Sequence, residues 1–235
     1  MSPSGPMRGA GQPDFPLAEL HCHIEGAAPP ALVERLGAKY GVDVSAIIRD
    51  GAYVWHDFTS FLAAYDHAAT VFRREEDYAE LAFSYLTDLA AQGALYAEFF
   101  ISPDHARSSG TEPEIYARGL AAGIVRARDG AGIEARMIVV GVRHLGPDAV
   151  EAAARFAAGP GRPLVTGFNL AGDERVGAAQ DFAKAFDIAR DAGLGLTAHA
   201  GEFAGPDSVR DALDHLGITR VGHGVRAVAP AHRHS

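Results

Sequence analysis

Two histidines separated by one residue, His21 and His23, are the side chains near the start of this chain that suit metal chemistry best. They end a short run, Leu17–His23, that reads as a β-strand. Side chains at positions i and i+2 of a strand project from the same face of the sheet. The two imidazoles are therefore expected to project together, and two imidazoles on one face supply half of a metal site. Taken alone, the pair is also open to a second interpretation, two unrelated histidines.

Three further polar residues follow apolar runs late in the chain. His199 lies in Leu196-Thr-Ala-His-Ala-Gly-Glu202, and His223 lies in Val221-Gly-His-Gly224. Glu202 follows His199 by three positions, which keeps it within reach of the same site. Taken singly, His199 also reads as a buried packing histidine, Glu202 as a surface carboxylate and His223 as the structural end of a strand.

Strands and helices are predicted to alternate along the chain. Helical periodicity fills most of the segments between the predicted strands, residues 43–55 are expected to be irregular, and Pro103 is expected to end the second strand. The pattern predicts an α/β fold with a parallel sheet, of the (β/α)8 TIM-type barrel class, whose active site lies at the carboxyl ends of the strands. The predicted strands are Leu17–His23, Ala94–Ile101, Ile133–Val140, Leu164–Leu170, Leu194–His199 and Arg220–His223.

Composition narrows the classes of function. The chain has 235 residues, of which 48% are hydrophobic, and a net charge of -9, which argues against nucleic acid or an anionic membrane as the main partner. The single cysteine, Cys22, excludes an intramolecular disulfide and fits a reducing cytoplasm, where we expect the protein. Residues 1–15 are expected to be a disordered leader, residues 16–228 the barrel domain and residues 229–235 a tail.

Five ordered segments together resemble the adenosine and adenine deaminase family of the amidohydrolase superfamily. Each of them falls at or near the end of a predicted strand, and the resemblance extends over nearly the whole chain. The segments are Ala18-Glu-Leu-His-Cys-His-Ile-Glu-Gly26, Tyr96-Ala-Glu-Phe-Phe-Ile-Ser-Pro103, Gly167-Phe-Asn-Leu-Ala-Gly-Asp-Glu174, Leu196-Thr-Ala-His-Ala-Gly-Glu202 and Arg220-Val-Gly-His-Gly224.

The resemblance implies a zinc-dependent hydrolytic deaminase of adenosine, with one Zn²⁺ per chain and a small purine or purine nucleoside as its partner. It makes His21, His23 and His199 the metal ligands. A zinc ion lowers the pKa of a bound water to about 7 and so supplies a nucleophile at neutral pH. The resemblance also makes Glu202 the proton donor to the purine ring and His223 the residue that orients the attacking water or acts as its base.

Two substrate-binding residues are implied as well. Gly172 would give the purine close access to the backbone, because glycine has no Cβ; the alternative is a turn glycine after the fourth strand. Glu25 departs from the aspartate that is typical of adenosine deaminases, and the His-x-His-Ile-Glu-Gly form resembles adenine and aminodeoxyfutalosine deaminases more. Adenine or a modified nucleoside is therefore the alternative substrate, and a plain helix-capping acid is the alternative role for Glu25.

A second departure concerns the end of the sequence. The family's fourth metal ligand is an aspartate on strand eight, followed by a second acidic residue, and no Asp-Asp pair occurs in this chain. The sequence thus predicts a barrel truncated after strand six, and a catalytically impaired fragment of such an enzyme stays open as an alternative. Asp173 and Glu174 are interpreted as an acidic pair that starts a helix.

Overall fold

The computed structural model describes residues 15–159 and 162–228. Within these ranges the chain forms two compact units. The first comprises residues 15–99 and 118–136, and the second comprises residues 100–117, 137–159 and 162–228. The predicted tail and, apart from Phe15, the predicted leader lie outside the described residues.

The six longer strands belong to one sheet, and they follow one another in it in chain order. The last four of these strands pair in parallel, each with the next along the chain. The predicted α/β class of the (β/α)8-barrel type is confirmed over six strands. The strands are β1 Leu17–His23, β2 Ile48–Arg49, β3 Ala52–Tyr53, β4 Ala94–Ile101, β5 Glu134–Val142, β6 Val165–Ala171, β7 Gly195–Ala200 and β8 Arg220–His223.

Helices connect the strands. Proline occupies the first turn of α1, α4, α6 and α8, where its fixed φ suits a helix start and its missing N–H has no helical partner to lose. Among the described residues, no helix is both long and apolar enough to span a membrane. The helices are α1 Pro30–Tyr40, α2 Phe58–Ala69, α3 Glu75–Ala91, α4 Pro103–Ser108, α5 Pro113–Ala131, α6 Pro147–Ala158, α7 Ala183–Asp191 and α8 Pro206–Leu216.

One local prediction was wrong, and another was right but incomplete. The segment expected to be irregular contains the antiparallel pair β2–β3, joined by Asp50 and Gly51 with φ of 53° and 73°. An Asp-Gly pair with positive φ at both positions is the tight turn that β-hairpins prefer. Pro103 ends β4 as expected, but it also begins α4, whose amino end is capped by the Ser102 hydroxyl accepting from the N–H of His105.

In the first unit, the part of α5 from residue 118 onward packs on α3 at glycine positions. A Cβ built on Gly119 would lie 2.4 Å from the carbonyl oxygen of Glu75, and one built on Gly123 would lie 2.3 Å from that of Ala79. Real Cβ atoms do not approach backbone oxygen so closely. The two glycines therefore set the distance between the helices.

In the second unit, the parallel strands β5 to β8 bring the residues after β6, β7 and β8 to one edge of the sheet. Helix α7 covers the sheet through Phe186, whose ring centre lies 5.2 Å from that of Phe168 on β6. The pairing of β7 with β8 matches His199 with Gly222 and Ala200 with His223. This register places the late histidines on neighbouring strands at the same edge.

Candidate active site

The first unit holds one pair of imidazoles at the end of β1. The ring centres of His21 and His23 lie 6.2 Å apart with an interplanar angle of 76°. The backbone N–H of His21 donates to Glu19 Oε1 at 2.8 Å, a contact that fixes the chain just before the pair. Burial raises the pKa of the Cys22 thiol, which lies between the two histidines in sequence, to about 11, so the thiol stays protonated at neutral pH.

Glu25 follows this pair in a short 3₁₀ helix, Ile24–Ala27. Its side chain is buried, and the Tyr65 hydroxyl donates to Glu25 Oε2 at 2.8 Å. Burial, and then the neighbouring Glu25 charge, raises the pKa of Tyr65 well above its ordinary value, so that the phenol remains a donor. A Cβ on Gly26 would lie 3.2 Å from the Tyr65 ring, so the absence of a side chain at this position lets the ring lie close to the backbone. Glu25 is thus a buried, hydrogen-bonded carboxyl group in the first turn of this helix, and its predicted role in substrate binding stays a prediction.

In the second unit, one hydrogen bond determines which ring nitrogen of His199 carries the proton. Its ring is 7% exposed, and Nδ1 lies 2.9 Å from Asn169 Oδ1 on the neighbouring strand β6. Because an amide oxygen only accepts hydrogen bonds, Nδ1 must carry the proton and donate it. In this tautomer Nε2 is the unprotonated ring nitrogen, which is the arrangement found in metal-binding histidines.

His223 lies next to His199, although the sheet register alone would send their side chains to opposite faces. The strand ends at His223 with φ of 65°, a left-handed conformation that is uncommon for a residue other than glycine. The ring centres of the two histidines lie 5.0 Å apart. Backbone strain of this kind is typical of functional sites.

Glu202 completes this group. Its Oε2 atom lies 3.4 Å from His223 Nε2, and both side chains are about one-third exposed, at 30% and 29%. A carboxyl group and an imidazole at this separation are placed to pass a proton to, or accept one from, a molecule bound beside them. The structure therefore brings together three of the predicted site residues, His199, Glu202 and His223.

Gly172 has a conformational reason to be glycine. It follows β6 with φ of 101°, and a Cβ on it would lie 2.7 Å from His144 Nδ1. The next residue, Asp173, donates its N–H to the same His144 nitrogen at 3.3 Å and pairs with Arg175 on the surface. This explains the turn glycine, while the predicted role of Gly172 in substrate access stays a prediction.

Glu174 is the residue whose importance the sequence did not reveal. It does not start a helix but is buried, 6% exposed, and its carboxylate accepts hydrogen bonds from the segment that carries Glu202. Burial by itself would raise the pKa of Glu174, but the hydrogen bonds from Ala204, Ser208 and neighbouring backbone groups outweigh it and hold the pKa below its ordinary value. Its donors lie 27 to 34 residues further along the chain, so that only the fold brings them together.

Comparison with known proteins agrees with the motifs. The sequence profile of the family described as adenosine deaminase matches residues 16–232. A protein named adenine deaminase from Chelativorans sp. (strain BNC1) is 64% identical over 211 residues, covering 90% of this chain and 65% of the relative. One of the same name from Mesorhizobium japonicum is 60% identical over the same shares of both chains. The chain thus spans about two-thirds of the length of these relatives, 65% in each case.

Solved structures give the same result for the fold. The crystal structure of adenine deaminase from Arthrobacter aurescens matches with a TM-score of 0.80 and 28% identity, over 90% of this chain and 65% of that one. A zinc-bound amidohydrolase from Burkholderia ambifaria matches with a TM-score of 0.79 and 30% identity, over 89% of this chain and 59% of that one. On the evidence of the profile match, which covers nearly the whole sequence, this chain belongs to the adenosine deaminase family.

Proposed function

We propose that this protein hydrolyses the exocyclic amine of a 6-aminopurine, releasing ammonia and leaving the 6-oxopurine. The observation that carries the proposal is the pairing of Glu202 with His223, 3.4 Å apart, beside His199 in its ligand-ready tautomer. Deamination needs a proton delivered to a ring nitrogen, and a water activated for attack on the neighbouring ring carbon that bears the amine. An acid and a base at this separation suit those two tasks.

We infer that Zn²⁺ is held by His21, His23 and His199. The residue types fit this ion, because imidazole nitrogen is a ligand that Zn²⁺ prefers, His21 and His23 lie together at the end of β1, and His199 carries its proton on Nδ1 rather than Nε2. The zinc present in the similar amidohydrolase structure supports the choice of metal. When bound, zinc lowers the pKa of a water to about 7 and so provides the nucleophile.

The remaining chemistry belongs to side chains of the chain itself. In this proposal Glu202 carries a proton on its carboxyl group and delivers it to the purine ring nitrogen next to the reacting carbon, which makes that carbon electrophilic. His223 holds the attacking water through its imidazole and accepts a proton from it. Gly172, which follows β6, is proposed to let the purine approach the backbone.

Among 6-aminopurines we propose free adenine as the preferred substrate. The most similar relatives reported above are named adenine deaminases. The buried Glu25 carboxyl, held by Tyr65, supports this choice, since a glutamate reaches one methylene further than the aspartate typical of adenosine deaminases. Adenosine is the second candidate, because the matching family is described as adenosine deaminase. The reducing cytoplasm expected from the single cysteine stays a prediction.

A product assay tests the substrate assignment. Adenine and adenosine are incubated separately with the zinc-loaded protein, and hypoxanthine and inosine are quantified by chromatography. We expect kcat/KM to be at least about tenfold higher for adenine, and Glu25→Asp to narrow the ratio, because a shortened side chain leaves room for a ribose. Tyr65→Phe is the companion variant, since it keeps the ring and removes only the hydrogen bond to Glu25. A wild-type preference for adenosine would refute the assignment of adenine while leaving the deaminase intact.

A further inference from the structure

Five hydrogen-bond donors converge on the single buried carboxylate of Glu174. Four of them are consecutive backbone N–H groups, those of Gly201, Glu202, Phe203 and Ala204, and the fifth is the hydroxyl of Ser208 in the first turn of α8. Oε1 accepts from Gly201 N at 2.5 Å and from the Ser208 hydroxyl at 2.5 Å. Oε2 accepts from the other three N–H groups at 3.1, 2.7 and 2.9 Å. An ionised carboxylate accepts hydrogen bonds at two oxygens with about four lone-pair sites and donates none, so it suits a group made only of donors.

The donors belong to a segment that has no regular structure of its own. Residues 201–204 lie between β7 and α8, and their N–H groups take part in neither the strand ladder nor the helix. Backbone N–H groups in such a turn must find another acceptor, because a buried unpaired donor is costly. The Glu174 carboxylate therefore replaces the missing secondary structure and fixes the path of this turn.

The turn matters because it carries Glu202. The N–H of Glu202 is one of the five donors, and its own carboxyl group lies 3.4 Å from His223 Nε2. The start of the turn is tied to the segment that follows β8, since the N–H of Arg226 donates to Gly201 O at 3.0 Å. In the contacts described above, the Glu174 carboxylate accepts from backbone N–H groups and from the Ser208 hydroxyl, and not from the side chains of the Glu202–His223 pair. Its effect on that pair is therefore transmitted through the turn.

The loop that carries Glu174 is held in place by hydrogen bonds of its own. The buried Arg143 donates from Nε to Val176 O at 2.8 Å and from Nη2 to Gly177 O at 2.7 Å, which holds the segment that follows Glu174. The N–H of Ala179 donates to Asp211 Oδ2 on α8 at 3.0 Å. The loop after β6, which carries Glu174, is thereby held both to the segment that follows β5 and to α8.

We propose that Glu174 is a positioning residue for proton transfer, and that it places the Glu202 carboxyl group by holding the turn Gly201–Ala204. The proposal rests on the proposed function, because Glu202 is assigned there as the proton donor. It predicts that the turn is held by the two acceptor oxygens of Glu174. A side chain of the same size that lacks one of these oxygens should not hold the turn in place.

The variant Glu174→Gln tests this, because it keeps the shape but turns one oxygen into an NH₂ group that faces donors. The matched control is Asp207→Asn, an equivalent change at a carboxylate on α8 whose side chain is 95% exposed. Three readouts are compared with the wild type: amide hydrogen exchange of residues 200–205 against residues 137–142 of β5, the imidazole NMR resonances of His223, and kcat and KM for adenine with zinc.

We expect exchange in the turn to rise about tenfold or more in Glu174→Gln, with exchange in β5 unchanged. The His223 resonances should move towards those of Glu202→Gln, kcat should fall about 10- to 100-fold, and KM should change less than about threefold. Asp207→Asn should match the wild type in every readout. Equal loss of exchange protection in the turn and in β5 would show a general folding role and overturn the proposal. Faster exchange in the turn with unchanged His223 resonances and unchanged kcat would overturn it as well.

An inactive wild type would contradict the proposed function, yet it would leave the exchange and NMR readouts to decide the role of Glu174. In that case, a perturbed turn together with shifted His223 resonances supports positioning of Glu202, and an unperturbed turn or unshifted resonances refutes it. The two failures are therefore distinguishable.

Discussion

Replacing Asn169 tests whether its hydrogen bond prepares His199 for zinc. The buried amide oxygen accepts the Nδ1 proton of His199 at 2.9 Å, and so makes Nε2 the unprotonated ring nitrogen. Asn169→Leu keeps a side chain of similar size but removes the acceptor. The His199 Nδ1–H then has lost its partner in a buried site, and the ring is free to adopt the wrong tautomer.

The size of the expected effect follows from the role of such supporting residues. Loss of a hydrogen-bond partner to a metal-binding histidine typically weakens metal binding by about 10- to 100-fold. This corresponds to about 1.4–2.8 kcal/mol of binding free energy. Asn169→Asp is the matched variant, because a carboxylate is acceptor-only and fixes the same tautomer; its zinc affinity should stay within about threefold of wild type or increase.

The assay is competition for Zn²⁺ against a chromophoric chelator at neutral pH, with thermal unfolding of the metal-free proteins as the folding control. A folded Asn169→Leu protein with wild-type zinc affinity would refute the reasoning. So would a large loss in Asn169→Asp, since that variant retains the acceptor.

Three further predictions concern stability. Asp77 is buried and accepts from the Tyr40 hydroxyl at 2.7 Å; burial tends to raise the pKa of Asp77, but its hydrogen bonds outweigh burial and lower it. Because the folded-state pKa is the lower one, this stabilisation is complete above the unfolded pKa of about 4 and is lost as the pH falls through the folded value. Asp77→Asn should therefore cost about 1–3 kcal/mol at pH 7 by urea unfolding, with the difference shrinking below about pH 4. Gly119→Ala should lower the free energy of unfolding by about 1–3 kcal/mol, and with it the melting temperature, because the alanine Cβ would meet the Glu75 carbonyl oxygen. This loss should outweigh the better helix propensity of alanine. Gly172→Ala should cost about 1–3 kcal/mol in the same measurement, because φ is 101° there; a variant as stable as wild type would contradict the turn geometry.

Much of the fold was readable from the sequence because glycine and proline separate the apolar runs. Strand β1 has the predicted bounds, and β4 does as well, because an apolar run with a clear break on each side leaves little choice. The turn at Asp50-Gly51 carried a recognised hairpin signal that was missed, since the flanking strands of two residues each are too short to show alternation. Short elements are specified by one or two residues, and periodicity does not detect them.

The site was only partly readable for a different reason. His199, Glu202 and His223 follow strands in one parallel sheet, and the rule that such strand ends meet at one edge brings them together. Glu174 follows the neighbouring strand but was interpreted as a helix-starting acid. Its proposed role depends on backbone N–H groups of residues 201–204, which are distant in sequence. Every residue except proline has such a group, so the sequence does not indicate which of them will point at Glu174.

The most direct test of the account is ammonia release from adenine by the zinc-loaded protein. The wild type is compared with Glu202→Gln, which removes the acid, and with Glu76→Gln, the same change at an exposed position on α3. We predict zinc-dependent ammonia release with hypoxanthine as the product, lost by at least about 100-fold in Glu202→Gln and unchanged in Glu76→Gln. Ammonia release that survives in Glu202→Gln, or its absence from a wild type that binds zinc, would contradict the account.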